Sequence, residues 1–393
     1  MKKTIILFIY IVVYQVTTAQ IVNTNEFVPR TSTLPGISNP AFPYAQTKDT
    51  VLTKKALEEL GDELASWVAS GELVGGELLI IQDEKTIFHE AYGWSDLEKK
   101  RPVKRNSIWS IKSMSKPFTA SAIMMLSEQG KLSVNDKLID YIPEYAGDSS
   151  TTLAHLLSHS SGYDELRYTQ GHEDLGSWVN HMATLSPTEE LGTYQYSDFN
   201  YAALGYIVEL VGEMPLEEYL QINFLNPLEL NESYTNFSPD SSWASDVNSR
   251  YRLLENRYVK YWSNTDPQGW KFYPSAWGIW GTAMDYSKFM SMFLNQGSFN
   301  DRHVLNVSTV KEMLTPITFS GETPIYGLGW CVQPYEANSS TPRFMHGGVD
   351  GTWAIAYPED NLIVIFMTHC RDSNVRSEFI NRLGRLGLAS YTG

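Results

Sequence analysis

The chain has 393 residues, enough for one large domain or two intimately joined ones with a sizeable core. At 42% hydrophobic and 19% charged, its composition is that of a globular protein and excludes general disorder. A net charge of −15 with no basic arm argues against a nucleic-acid partner.

Met1–Ala19 reads as a secretory signal. Lys2 and Lys3 supply the charged start, Ile5 to Val13 the apolar run, and Thr17-Thr-Ala19 the small-residue junction. The expectation is an exported, periplasmic or secreted protein starting at Gln20. Without Lys2 and Lys3 its charge is −17. The apolar run is short for a bilayer, no cysteine marks a lipid attachment, and so no stable membrane anchor is expected. Residues 20–50, with Pro29, Pro35, Pro40 and Pro43, read as an irregular extension.

Leu57, Leu60, Leu64 and Val68 then recur at helical spacing. Gly76–Ile81 and Thr86–Tyr92 read as a hairpin around Asp83-Glu84-Lys85. A second helix carries Phe118, Ala122, Met125 and Leu126 and stops at Gly130. Pro117 lacks an amide hydrogen, so this helix should begin a turn earlier, near Ser113. Helical patterns continue through Leu153–Leu157, Trp178–Leu185 and Tyr201–Val211. Residues 240–280 are aromatic and irregular, and strand-like runs return at Gly327–Gln333, Thr352–Tyr357 and Leu362–Thr368. The pattern predicts an α+β fold: an antiparallel sheet flanked by helices and built from both chain ends, 51–112 and 272–393. A mainly helical subdomain, 113–271, is inserted between them, with the active site at the junction. Cys331 and Cys370 sit in strand-like segments and read as buried thiols in preference to a disulfide, whose pairing the sequence leaves open.

Ser113-Met-Ser-Lys116 places a hydroxyl and an amine on one helix face, where orphan amides also favour developing negative charge. The spacing recurs at Ser308-Thr-Val-Lys311, so by itself it reads as a helix cap beside a solvated lysine. Two further stretches bear on it. Tyr196-Ser-Asp198 precedes a helix near Tyr201, and a tyrosine near an ammonium is a usable general base. His346-Gly-Gly348 adjoins a strand, and paired glycines admit a substrate or another backbone. No G-x-S-x-G elbow is present. His155 and His159 have the spacing of a zinc pair but no H-E-x-x-H, so no metal and no cofactor are expected.

With these motifs in order, the chain resembles the serine β-lactamase and penicillin-binding-protein superfamily, in particular its class C β-lactamase-like branch with the family VIII carboxylesterases. Ser113-Met-Ser-Lys116 is similar to the nucleophile motif, Tyr196-Ser-Asp198 to Tyr-x-Asn, and His346-Gly-Gly348 to Lys-Thr-Gly in its His-Gly-Gly form. Leu153–Gly162, Leu204-Gly205, Gly278–Asp285 and Tyr326–Trp330 resemble supporting stretches of that branch, and the likeness spans roughly residues 50–370. The resemblance implies that Ser113 is acylated while Lys116 and Tyr196 share its proton. It implies an oxyanion hole of the Ser113 and Val349 amides, and a His346 that orients Tyr196 or the substrate.

Asp198 departs from the family's Asn, and Gly347 and Val349 lack hydroxyls that would hold a β-lactam carboxylate. Both changes count against β-lactam or D-Ala-D-Ala recognition and favour a small-molecule ester or another amide. A β-lactamase or D-Ala-D-Ala peptidase or amidase of the same superfamily is the alternative. A cell-wall peptide or β-lactam sensor that acylates without turning over is the reading from another class. Nothing in the sequence sets an oligomeric state.

Overall fold

The computed structural model describes residues 30–31, 41–44, 50–164, 171–321, 323–333, 342–386 and 388. The signal stretch Met1–Ala19 and most of 20–50 lie outside these residues.

Helix α1 (Lys54–Ser70) starts where Thr53 accepts the Ala56 amide and ends at Gly71, whose φ of 79° suits a left-handed cap. Strands β1 (Gly75–Gln82) and β2 (Lys85–Asp96) follow as an antiparallel hairpin. Its turn residues Asp83 and Glu84 both take positive φ, 49° and 55°, which matches the twist of the strands. After the hairpin come helices α2 (Lys116–Glu128), α3 (Leu153–Leu157), α4 (Leu175–Ala183) and α5 (Asp198–Gly212). A second hairpin, β3 (Arg250–Leu254) and β4 (Arg257–Trp262), precedes α6 (Ala283–Leu294). Strands β5 (Thr318–Ser320), β6 (Thr323–Tyr326), β7 (Cys331–Gln333), β8 (Arg343–Gly347), β9 (Trp353–Tyr357) and β10 (Leu362–Thr368) come next, and α7 (Val375–Arg385) last.

The main sheet has the order β2-β1-β10-β9-β8-β7-β6-β5, with two-residue strands Arg30–Thr31 and Arg101–Pro102 against β2. Early and late strands meet at β1–β10, where Leu78 faces Phe366, Leu79 faces Ile365 and Ile80 faces Val364. Side chains alternate across a strand, so this one register feeds two cores. Leu78, Ile80, Val364 and Phe366 pack with Leu57, Leu60 and Leu64 of α1 and Phe379 of α7. Leu79, Ile81, Ile363 and Ile365 pack with Phe289 and Met290 of α6. Each such burial is worth roughly 1.5–3 kcal/mol. The expected α+β sheet with flanking helices is therefore present.

Three local expectations are corrected. The strand read across Gly327–Gln333 is confined to β7, because Gly329 takes a φ of 103° and the Gly327 amide closes a turn onto the Trp330 carbonyl at 2.9 Å. The stretch 240–280 is not wholly irregular: β3 pairs with β4 and, in parallel, with Cys370–Arg371. Its dense aromatics hid the alternation. Finally, α5 begins at Asp198, ahead of Tyr201, so Asp198 is a first-turn residue.

Helix α2 is buried from Lys116 to Leu126, as a helix apolar on every side must be. The turn Lys112–Ser115 that leads into it packs against β8. No helix among the described residues is long and apolar enough to cross a membrane.

Candidate active site

Ser113 lies in a 3-10 turn, Lys112–Ser115, that leads into α2. Two flanking contacts fix the turn: the Ile111 amide reaches the Ile279 carbonyl at 3.1 Å, and the Ile279 amide reaches Ser115 Oγ at 3.0 Å. Lys116 is the first residue of α2 and is 0% exposed, so it is no solvated helix-start lysine. Its Nζ lies 3.1 Å from Ser113 Oγ, 2.6 Å from Asp198 Oδ1 and 3.2 Å from the Ala276 carbonyl oxygen. The duplicate motif fares differently, since Ser308 and Lys311 are both exposed on a short helix.

Asp198, which the resemblance places at the substrate-binding motif, sets its carboxylate on Lys116. A buried ammonium requires such a partner, because an isolated charge away from water costs several kcal/mol.

The Tyr196 ring lies between two groups, with Lys116 Nζ 4.7 Å from its centroid and the His159 imidazole 4.2 Å away. His159 holds the tyrosine's own backbone on both sides. Its carbonyl accepts the Gln195 amide at 2.7 Å, and its Nδ1 accepts the Ser197 amide at 3.1 Å. An Nδ1 that accepts leaves the ring hydrogen on Nε2. Burial, then the charge of Lys116, drives the His159 pKa well below its ordinary value, so the ring is neutral at pH 7. His155 and His159 do not form a zinc pair. His155 belongs to the capping box of α3 with Thr152, whereas His159 lies beyond the helix at a φ of 55°.

His346 sits on β8, 3% exposed. Its Nδ1 donates to the Gly347 carbonyl at 3.0 Å, and its Nε2 accepts from the Tyr326 hydroxyl at 2.8 Å. Burial, and next the charge of Lys116, pushes its pKa down to about 3. The ring is thus neutral and is hydrogen-bonded to Tyr326. Its centroid lies 6.5 Å from that of Tyr196, so it touches the tyrosine's surroundings without hydrogen-bonding to it.

Beyond His346 and Gly347, Gly348 presses on the nucleophile turn. A Cβ there would lie 2.6 Å from the Ile111 carbonyl oxygen and 3.0 Å from Lys112 Cβ. The glycine is therefore required by close backbone approach. Val349, half exposed, follows Gly348 directly in the chain. The structure brings Ser113, Lys116, Tyr196, Asp198, His346, Gly347 and Gly348 together where the turn before α2 meets β8, with Val349 next in the chain. His159 and Tyr326 join them, and both lie in stretches that the sequence singles out without marking them as members.

Cys331 and Cys370 are both free thiols. Among the described residues no cluster of His, Cys, Asp and Glu is arranged to hold a metal.

Residues 54–389 match the protein family described as Beta-lactamase. An Escherichia coli (strain K12) protein provisionally named a D-alanyl-D-alanine carboxypeptidase is 26% identical, over 88% of this chain and 92% of its own length. Among solved structures, EstCE1, titled a hydrolase with promiscuous acyltransferase activity, is 21% identical with a TM-score of 0.71, covering 84% of this chain and 98% of that one. A class C β-lactamase from Rhodobacter sphaeroides is 18% identical with a TM-score of 0.70, covering 86% of this chain and 100% of the other. At such identities the two structures speak to the fold alone.

Proposed function

The chain belongs to the β-lactamase family of serine hydrolases, and from that premise we propose that it is an exported carboxylesterase acting on short-chain esters through an acyl-enzyme at Ser113. In this reading the ester carbonyl carbon sits over Ser113 Oγ. As the Oγ–C bond forms, the hydroxyl proton passes to the Tyr196 phenolate oxygen, Lys116 being already an ammonium that stabilises it, and the carbonyl oxygen, now negative, takes hydrogen bonds from the Ser113 and Val349 amides. Collapse breaks the bond to the leaving alkoxide, which carries the proton away. Water then attacks the acyl carbon, giving its proton to the same phenolate, and the Ser113 hydroxyl is restored.

The observation that carries the ester reading is the position of Asp198. Its carboxylate is spent on Lys116 at 2.6 Å and, being an acceptor, offers no hydrogen to an amide carbonyl of the substrate. A buried carbonyl left unpaired costs about 1–3 kcal/mol, and an activated ester does not depend on that contact. The missing hydroxyls at Gly347 and Val349 act in the same direction against a carboxylate-bearing β-lactam.

The test is kcat/KM for p-nitrophenyl butyrate against a chromogenic cephalosporin under one set of conditions. The ester should be favoured by roughly two to four orders of magnitude relative to a site that carries both contacts. A cephalosporin that is the better substrate would sink the ester reading. The second reading, a β-lactamase or D-Ala-D-Ala peptidase, is favoured by the name of the Escherichia coli relative. A burst of acylation without turnover would instead identify a sensor.

A further inference from the structure

Resting on Ser113 as the nucleophile, we propose that Lys112 and Asp350 are positioning residues that hold the two oxyanion amides at a fixed separation, with Tyr261 and Arg250 bracing them. Each member of the pair is the chain neighbour of one amide: Lys112 precedes Ser113, and Asp350 follows Val349. Lys112 Nζ lies 3.5 Å from Asp350 Oδ2, with the two side chains 15% and 0% exposed. The pair therefore bridges two chain segments that are far apart in sequence, one residue away from where the substrate oxygen would sit.

The backbone shows what the bridge costs. Lys112 takes a φ of 53°, the left-handed region that a residue with a side chain avoids. Such a conformation persists only where surrounding contacts over-determine it. Here the contacts include the Thr352 hydroxyl on the Ile111 carbonyl at 3.3 Å and the Gly348–Thr352 turn, in which the Gly348 amide donates to the Thr352 carbonyl at 2.7 Å and the Gly351 amide to the Gly348 carbonyl at 3.0 Å.

Asp350 is held from a third side by the β3–β4 hairpin. The Tyr261 hydroxyl donates to its Oδ1 at 2.5 Å, and Arg250 Nη1 is 4.0 Å from its Oδ2. Arg250 in turn lies over the rings of Trp262, at 4.0 Å, and Trp280, at 5.0 Å. Trp280 is the strand partner of Ser110, so the brace returns to the nucleophile segment. The His369 carbonyl accepts the Tyr251 amide at 2.9 Å and its Nε2 accepts the Ser110 amide at 3.1 Å, which adds a second link from the hairpin to that segment. A buried carboxylate among Lys112, Arg250 and Tyr261 is stable only while those partners stay in place. The aromatic stretch that the ester chemistry leaves without a role thus acquires one. It anchors the geometry of the hole.

The experiment uses Asp350→Asn, Lys112→Met and Tyr261→Phe in the full chain. It measures kcat and KM for p-nitrophenyl butyrate and Ki for phenylboronic acid. The boronic acid adds to Ser113 Oγ as a tetrahedral anion with an oxygen in the hole, so its affinity reports the hole itself. Asp350→Asn and Lys112→Met should each lower kcat about 10- to 100-fold with KM little changed, and raise Ki by a similar factor. Tyr261→Phe should give a smaller change of the same kind. The Lys112→Met/Asp350→Asn double variant should be little worse than either single one, and Lys112→Arg, which keeps the charge, should recover most of the rate. A kcat that falls while Ki stays at the wild-type value would overturn the proposal, as would full activity in Lys112→Met. If Asp350→Asn does not fold, the partly exposed Lys112 variants decide the matter alone. A wild-type protein that neither phenylboronic acid inhibits nor a fluorophosphonate labels would remove Ser113 as nucleophile, a failure distinct from that of the bridge.

Discussion

Ser113 and Ser308 share a sequence spacing and nothing else. Ser113 faces a fully buried amine paired to a carboxylate, whereas Ser308 and its lysine point into solvent, where the amine cannot be tuned. Ser113→Ala should therefore abolish both turnover and fluorophosphonate labelling, and Ser308→Ala should change neither. Labelling that survives Ser113→Ala would falsify the assignment. Lys116 and Tyr196 form one unit, since the ammonium lies 4.7 Å from the phenol ring centroid and donates to the nucleophile itself. Lys116→Ala and Tyr196→Phe should each lower kcat by several orders of magnitude, and the double variant should be hardly worse than either. Additive losses would mean that the two residues act at separate steps.

At the scale of elements, the site depends on α5 lying hard against the segment that carries Ala276, whose carbonyl accepts from Lys116. Gly205 permits that approach: a Cβ there would lie 2.4 Å from Ser275 Cβ and 2.9 Å from Leu216 Cδ2. The Ser275 hydroxyl also bonds the Tyr201 carbonyl of α5 at 2.9 Å, and the Ser275 carbonyl accepts from Thr119 of α2 at 2.8 Å. Gly205→Ala must push α5 and this segment apart. Overpacking of this kind costs about 1–3 kcal/mol, and here it should also lower kcat by loosening Lys116. Thermal unfolding and kcat measured on the same preparation check this. A variant with wild-type values of both would show that the contact relaxes without consequence.

Across the whole molecule, three buried imidazoles set the response to acid. Burial is the largest cause in each, lowering His346 to about 3, His369 to about 4 and His159 well below its ordinary 6.5. A histidine whose folded pKa is depressed stabilises the fold above its unfolded pKa, and that stability is lost as pH falls below about 6.5. Glu209 acts in the opposite direction. Burial raises it to about 7 from 4.5, so between those values the folded state holds a proton that the unfolded state releases. Below pH 6.5 unfolding should thus take up protons at these histidines, partly offset by the proton that Glu209 releases, and each net proton gives a slope of about 1.4 kcal/mol per pH unit. Urea midpoints at pH 7.5, 6 and 5 should fall in that order. A constant midpoint would mean that the rings are solvated or already charged in the fold.

Much of this protein was legible in its residues one after another. The short unbroken apolar runs Leu78–Ile81 and Leu362–Met367, rich in branched side chains, mark strands covered on both faces. The three motifs name the candidate reacting groups, because nucleophile, base and close-approach glycines each demand a residue type. What the order of residues leaves open is partnership. Asp198 is 82 residues from the lysine it neutralises, and His159 is 38 from the amide it accepts. Lys112 finds Asp350 only because β1 pairs with β10 and carries the last third of the chain back to the nucleophile turn. Which carboxylate meets which ammonium depends on the path of the backbone in three dimensions. A buried charge then accepts whatever partner that path supplies, since remaining unpaired costs more.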